Sequence, residues 1–524
     1  MRRTPLLVLS VMLFLQHQII GQEADLIIKN VQIIDGSGSP AYKGSIAIDR
    51  GAIYQIGDLE GIKANKVING DGLVAAPGFI DVHAHVEGSI LNRPLAANFI
   101  KDGVTTLVTG NCGSSRTDLS TFFNEVKNAR PAINIASLIG HNSVRRAVMG
   151  EDDRDPTVEE LSQMKDLVSK GMKAGAVGFS TGLIYVPGTY SKTDEVISLA
   201  QSAADQGGIY ASHIRNEGNH IREAIDEAVQ VGIAAEMPVE VSHFKISSKV
   251  LWGESDMTTG MIQSYRDQGV DVLVDQYPYP ASSTTLAVLL PTWALAGGND
   301  SLNFRLNDPT TKQLIIKEMK EELKANGLDD YSYCAVSNCP WNQEYNGLRI
   351  NQISELRHNS QKLDDQIETV LEMVRKGDRV QMVFHKMSED DVKTIMQFEH
   401  TMIASDAGIP DFGKRVPHPR AYGTNSRVLG KYVREEGIIS LEEAVKKMTS
   451  MPAKHFKLKN RGLLKKGYSA DIVLFDPQKV GDRATFERPH AYPDGIPYVI
   501  VNGEVTIKQG RQLAMRNGEV IRLN

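Results

Sequence analysis

Several features that mark other classes of protein are scarce in this chain of 524 residues. It has only three cysteines, too few for a disulfide-stapled scaffold. It has no basic run and no basic–aromatic alternation, which argues against a nucleic-acid binder, and its net charge of −6 is mild. Cys334 and Cys339 are close enough in sequence for a local disulfide, which leaves Cys112 in need of another role.

The first 22 residues differ from the rest of the chain. Arg2 and Arg3 precede a short apolar stretch over residues 6–15, and the small residue Gly21 follows a more polar segment. This order is typical of a secretory signal, so we expect residues 1–22 to be removed and the protein to be exported, periplasmic or secreted. A retained membrane anchor is the alternative, although the apolar stretch is short for a bilayer span, and no later segment resembles one.

The remaining chain has two kinds of secondary-structure pattern. Residues 23–76 and 460–524 are short Val/Ile-rich runs broken by Gly, Pro and Asp, which predicts one small β-sandwich domain built from both ends. Residues 77–459 alternate strand and helix patterns and contain eight strand candidates, which favours an α/β fold of the (β/α)8 TIM-like barrel type. We expect an insertion, about residues 286–351, between the last two barrel strands. "RVQMVFH", residues 379–385, is a further strand candidate that leaves the strand count open by one.

Polar side chains of metal-binding type stand where these strands end. In a barrel of this kind the active site lies at the carboxyl ends of the strands, so the side chains there converge on one rim. Imidazole, thiolate and carboxylate groups together are what a zinc site requires. The residues concerned are His83, His85, Cys112, His141, His213, His243 and Asp406.

The spacing of the histidine pair favours metal binding. His83 and His85 are two positions apart, which on a strand directs both side chains to the same face, here the barrel interior. Cys112 offers a thiolate that can bridge two ions. Histidines bonded to backbone carbonyls, or an inert buried cysteine, are the alternatives for each residue taken singly. His141 is the weakest candidate, and we interpret it as structural or as a support for the ligands.

Asp406, in "IASDAG", ends the last strand. A carboxylate there can accept a proton from a metal-activated water and pass it to a leaving group; the alternative is a helix N-cap. Three cations lie nearby in sequence: Arg215, Lys245 and Arg420. Each is able to bind an acidic end of a substrate, or to form a structural ion pair.

Together these segments resemble the amidohydrolase superfamily, and within it the N-acyl-D-amino-acid deacylases, or D-aminoacylases. The similarity extends over nearly the whole mature chain. The segments that carry it are "PGFIDVHAH", "GNCG", "SHIRNE", "SHFK", "SDAG", "HPRAYGT" and "GLLKKGYSADIVLFDP".

The resemblance implies a role for each matching residue. Cys112, His213 and His243 would hold a tightly bound zinc, and His83 and His85, with Cys112 bridging, a second and weaker metal position. Asp406 would act as general base and then acid. The substrate carboxylate would contact Lys245, Arg420 and Tyr185, and Tyr277 or Tyr279 would contribute to the carbonyl or acyl pocket.

Two departures from relatives are visible. Val86 follows "HAH" where an acidic residue is common, and the fourth strand, "AVGFSTG", offers no lysine for a carbamate bridge, unlike hydantoinases.

From the resemblance we expect zinc-dependent hydrolysis of N-acyl-D-amino acids, small-molecule substrates with a free carboxylate. The alternatives are a dipeptidase acting on peptides with a C-terminal D-residue and a non-catalytic zinc-binding barrel. The oligomeric state is not predicted.

Overall fold

A computed structural model describes residues 23–377 and 379–523, so the predicted signal segment lies outside the described residues. All eight strand candidates of the central region form strands, and the barrel prediction is confirmed. The third is interrupted at Leu138. The barrel strands are Phe79–Asp81, Val104–Thr109, Asn134–Ser137 with Ile139–Gly140, Gly178–Gly182, Ile209–His213, Val239–Val241, Val272–Gln276 and Thr401–Ile403.

The barrel is closed by parallel pairing from each strand to the next. The first three strands form one hydrogen-bonded sheet and the remaining strands a second. The third strand connects the two sheets, because its first part pairs with the second strand and Ile139–Gly140 pairs with the fourth. A parallel bridge between Ala84 and Ala407 joins the first strand to the last. Because all strands run in the same direction, their carboxyl ends lie on one rim.

Helices cover the outer face of the barrel, which explains why its strands are apolar on both faces. The helix Val158–Lys173 begins with a capping box in which Thr157 and Glu160 bond each other's backbone amides. The helices of this layer are Ala97–Lys101, Leu119–Ala129, His141–Met149, Val158–Lys173, Thr193–Ala204, Ile221–Ala234, Ser255–Asp267, Glu389–Gln397, Arg420–Arg427, Val428–Glu435 (a π-helix), Leu441–Met448 and Ser450–His455. No helix among the described residues is long and apolar enough to cross a membrane.

Strands from both ends of the chain form the β-sandwich unit. They form one nine-stranded sheet, in which eight strands hydrogen-bond in a continuous path and Lys63–Asn69 pairs off that path with Glu23–Ile33. Val74–Pro77 pairs antiparallel with Ile472–Phe475 and so joins the two ends of the chain. Alternate apolar side chains of these strands form a core of their own. The strands are Glu23–Ile33, Tyr42–Asp49, Ala52–Gly57, Lys63–Asn69, Val74–Pro77, Ile472–Phe475, Tyr498–Val501, Glu504–Lys508 and Arg511–Gln512.

The insertion between the last two barrel strands is larger than residues 286–351. It includes a three-stranded antiparallel sheet in which Gln381–Phe384 lies between the other two strands, so "RVQMVFH" is not a barrel strand. The sequence could not show this because that strand pairs with residues about 100 positions earlier. The insertion has a core of its own that includes Cys334 and Cys339, and no disulfide links these residues in the described chain. Its elements are strands Ser282–Thr285, Cys334–Asn338 and Gln381–Phe384 and helices Gly298–Asn307, Pro309–Ala325, Ile350–His358 and Leu363–Arg375.

His455 predicts a pH dependence of stability that is separate from the site. Burial lowers the pKa of His455 to about 4, so the folded protein keeps it neutral where the unfolded chain, with a pKa of about 6.5, takes up a proton. The contribution of neutral His455 to the free energy of unfolding is therefore fully present above pH ~6.5. It is lost as the pH falls towards 4, by up to about 3 kcal/mol. In urea denaturation, we expect the free energy of unfolding to fall between pH 7 and pH 4 by about 3 kcal/mol less in His455→Asn than in wild type. Parallel losses in the two proteins would contradict this origin.

Candidate metal centre

His83 and His85 follow the first barrel strand and point to a common centre. The Nδ1 atom of His83 donates to Asp275 Oδ2 at 3.0 Å, which leaves the lone pair of Nε2 facing Cys112 Sγ at 3.3 Å. His83 is fully buried, whereas the His85 side chain is about one-third exposed, at 34%. Ligand atoms of His83, His85 and Cys112 all lie within 4.8 Å of one another.

Cys112 also belongs to a second group, with His213 and His243. Its Sγ atom lies 3.6 Å from His213 Nδ1 and 3.5 Å from His243 Nε2. Burial opposes ionisation of the thiol, but His83 and His243 hold the pKa of Cys112 well below its usual range. One sulfur thus faces three imidazole nitrogens, the arrangement predicted from the strand ends.

Left-handed backbone conformations, which are rare outside glycine, occur at Cys112, His243 and the predicted proton-transfer residue Asp406. The φ angles are 52° at Cys112, 37° at His243 and 51° at Asp406. Each residue directly follows a barrel strand or lies within three residues of its end. Such strain costs of order 1–3 kcal/mol per residue and is typical of functional sites. Gly182 allows the close approach of the Cys112 loop, because a Cβ atom there would lie 2.3 Å from Cys112 O.

Asp406 lies between the histidines and Arg420. Its Oδ1 atom is 3.1 Å from His85 Nε2 and 3.7 Å from His83 Nε2, and its Oδ2 atom is 2.9 Å from Arg420 Nη1. Burial opposes ionisation, but Arg420 and the histidines hold the pKa of Asp406 well below its usual range. The carboxylate is therefore ionised and aimed at the centre.

Glu217 was not among the predicted site residues, although the quoted "SHIRNE" contains it. It accepts from Lys245 Nζ and lies 3.0 Å from His243 Nδ1 and 3.8 Å from His213 Nε2. Its Oε1 atom and Lys245 Nζ both lie 3.0 Å from His243 Nδ1, so the two groups together position the His243 ring with Nε2 towards the sulfur. The signal in the sequence is a carboxylate four positions after His213.

Two cavities meet at this centre. The larger, of 790 Å³, is lined by His85, Cys112 and Arg420, and the smaller, of 550 Å³, by His213, His243 and Lys245. Asp406 and Tyr185 line both cavities, so the cluster of candidate ligands is reached from two cavities.

The structure separates the two candidate tyrosines of "DQYPY". Tyr277 lines the smaller cavity, with the guanidinium carbon of Arg420 4.5 Å from its ring centroid. Tyr279 is buried under Arg427 and Phe486 and lines neither cavity. Tyr185 lies at the centre, where its ring is 4.8 Å from that of His213 and its hydroxyl bonds Thr284 Oγ1 at 3.0 Å.

Two of the residues singled out in the sequence are engaged elsewhere. The Nε2 atom of His141 bonds Glu195 Oε1 at 2.9 Å, next to the buried Arg145–Glu195 ion pair. Arg215 bonds Glu227 through two nitrogens, both at 2.9 Å, and also donates to the carbonyls of Thr189 and Ser191. Neither residue joins the metal-ligand groups, although Arg215 also lines the smaller cavity.

Comparisons with known proteins agree with this architecture. The amidohydrolase family model matches residues 66–507. The chain is 33% identical to an N-acyl-D-glutamate deacylase of Alcaligenes xylosoxydans xylosoxydans (96% of this chain, 97% of the relative) and 34% identical to a D-aminoacylase of that organism (92% and 94%). A solved N-acyl-D-glutamate deacylase from Bordetella bronchiseptica, complexed with zinc and a phosphonate mimic of the tetrahedral intermediate, superposes with a TM-score of 0.82 at 32% identity, over 96% of this chain and 100% of that one. The chain belongs to the amidohydrolase family.

Proposed function

We propose that the protein is a zinc-dependent amidohydrolase that cleaves N-acyl-D-amino acids into a carboxylate and a D-amino acid. The observation that carries the proposal is the buried thiolate–imidazole cluster with an ionised carboxylate beside it. Full-length similarity to deacylases that act on N-acyl-D-amino acids supports the substrate class.

The donor set fits zinc. Tetrahedral zinc, with bonds of about 2.3 Å to sulfur and 2.0–2.1 Å to nitrogen, places its sulfur and nitrogen ligands roughly 3.5 Å apart. The Cys112 sulfur lies 3.6 Å from His213 Nδ1 and 3.5 Å from His243 Nε2, so these three residues would hold the ion. His83 and His85, sharing Cys112, would hold a second ion. Zinc bound here supplies Lewis acidity and lowers the pKa of water to roughly 7.

The side chains around the ligands orient the substrate and move the proton. Arg420 and Lys245 lie 4.5 Å and 5.6 Å from the ring centroid of Tyr277 and would bind the α-carboxylate, which would fix which stereoisomer presents its amide to the centre. Asp406 would take a proton from the attacking water and return it to the leaving amine. Tyr185, whose pKa burial raises well above its usual range, stays protonated and able to donate to the carbonyl oxygen.

A paired screen tests this function. Protein of known zinc content is assayed with D- and L-enantiomers of N-acetyl amino acids and of dipeptides. We expect hydrolysis of the D-series of N-acyl compounds, lost on chelation and restored by zinc. Preference for dipeptides with a C-terminal D-residue would replace the deacylase with a dipeptidase, for which the 790 Å³ cavity has room. Zinc at one equivalent with no hydrolysis of any substrate would indicate a binding protein instead.

A further inference from the structure

The ion pair between Asp406 and Arg420 joins two separate segments of the chain, with Asp406 Oδ2 and Arg420 Nη1 2.9 Å apart. The Asp406 loop is tied to the end of the first barrel strand, because the Asp406 amide donates to His83 O at 2.9 Å. Arg420 begins the helix Arg420–Arg427, and its guanidinium makes a longer contact of 3.3 Å with Ser283 O. The position of Arg420 beside Asp406 therefore depends on how this helix is joined to the loop.

The buried side chain of Asn98 makes that connection. Its Nδ2 atom donates to Gly408 O at 3.1 Å and to Ala421 O at 2.7 Å. Gly408 lies two residues after Asp406, and Ala421 directly follows Arg420. A carboxamide nitrogen has two N–H donors, so this one atom can serve both carbonyls. The Oδ1 atom of Asn98 is buried without a hydrogen-bond partner in the described chain, so the side chain is held by its donating end alone.

Asp102 binds the same helix further along. It follows the helix Ala97–Lys101 and lies four positions after Asn98, so the two side chains project from the same face. Its carboxylate accepts from the backbone amides of Asn425 and Ser426, at 2.8 Å and 3.0 Å, and from the side chains of both residues. Burial raises the pKa of Asp102 to about 7, and these four donors oppose the rise, so the carboxylate predominates above that pH.

The helix Arg420–Arg427 is irregular, which gives these contacts a purpose. At Gly423 the backbone departs from helical geometry, with φ −143° and ψ 23°, and sharp kinks occur where the backbone hydrogen-bond ladder is disturbed. Asn98 binds the carbonyl of Ala421 before the kink, and Asp102 binds two backbone amides after it. The pair thus fixes both halves of the kinked helix.

We propose that Asn98 and Asp102 are positioning residues that hold the Arg420 guanidinium in place beside Asp406 for binding of the substrate carboxylate. The inference rests on the proposed function, in which Arg420 binds that carboxylate. Because the Asp406 loop is tied separately to His83, a displaced helix moves Arg420 and leaves Asp406 in place. Loss of either positioning residue should therefore weaken substrate binding more than proton transfer.

The first test is the kinetics of Asn98→Ala on the best N-acyl-D-amino acid, above pH 7. We expect KM to rise roughly 10–100-fold, the typical effect of losing a charged hydrogen bond, with kcat and zinc content little changed. A merely structural role would lower the folded fraction, and so kcat, without changing KM. Asp102→Asn should act in the same direction and replaces Asn98→Ala if that variant does not fold. Asn124→Ala, at an exposed asparagine of the helix Leu119–Ala129, is the control and should leave both constants unchanged.

A double-mutant cycle shows whether the effect passes through Arg420. In the background of Arg420→Met, we expect Asn98→Ala to change kcat/KM less than about threefold, because the group that it positions is already gone. A crystal structure of Asn98→Ala gives the same answer without turnover, and should show the Asp406–Arg420 ion pair broken.

The outcomes separate this inference from the function on which it rests. An unchanged KM, equal fold-changes in the two backgrounds, or an ion pair that stays at 2.9 Å in Asn98→Ala would overturn the positioning role and leave the deacylase intact. If wild type hydrolyses no N-acyl-D-amino acid, the proposed function fails. The separation of Asp406 and Arg420 in the variant then still shows whether Asn98 positions the guanidinium.

Discussion

Asp406→Asn is expected to retain zinc and to lose nearly all turnover. Asparagine keeps the shape of the side chain but cannot take a proton from the attacking water, and general acid–base groups contribute roughly 10²–10⁴-fold to rate. Asp406 lies outside the group Cys112, His213 and His243, whose sulfur–nitrogen distances match zinc, so that ion should stay. The measurement is kcat on the best N-acyl-D-amino acid, together with zinc per chain by atomic spectroscopy.

The matched control is Asp308→Asn. Asp308 caps the helix Pro309–Ala325, and asparagine is as good an N-cap as aspartate, so the variant removes the same charge without changing the site or the stability. Its activity should equal that of wild type. Normal turnover in Asp406→Asn would remove the proposed proton transfer. Loss of zinc from that variant would instead make Asp406 a ligand, a role its 3.7 Å separation from His83 Nε2 allows.

The clustering of the candidate ligand residues could be predicted because each position depends on one local rule. A strand has a period of two residues, so His83 and His85 share a face, and a parallel barrel brings the ends of all its strands to one rim. Knowing that a residue ends a strand was therefore enough to place Cys112, His213 and His243 together, without knowing any long-range contact. The left-handed backbone at Cys112 and His243 has no such signal, because few non-glycine residues adopt it and no neighbouring residue in the sequence marks these two positions.

The supporting residues could not be predicted in the same way. Asp275 faces His83 across 192 positions of sequence, and nothing near Asp275 distinguishes it from other acidic residues of apolar strands. The choice between Tyr277 and Tyr279 depends on whether each side chain faces the cavity or Phe486, which is a matter of packing.

His243→Ala is expected to lose zinc and activity together. The substitution removes one of the three residues proposed to hold the ion. Loss of an outer partner of a ligand typically costs 10–100-fold in metal affinity, so loss of a ligand itself should cost more. Zinc per chain after gel filtration should fall far below one equivalent, and activity in proportion. Excess zinc should restore a part of the activity, which separates this variant from Asp406→Asn, where added zinc has no effect.

His220→Ala provides the control for this experiment. His220 is also an imidazole near the barrel rim, but its side chain is 74% exposed and belongs to none of the metal-ligand groups, so zinc and turnover should both remain. If His243→Ala keeps a full equivalent of zinc, the ion is held by the other group, His83, His85 and Cys112, and His85→Ala should then remove it. In that case the sulfur of Cys112 still belongs to the site, but the water to be activated lies on the His85 side, in the larger cavity.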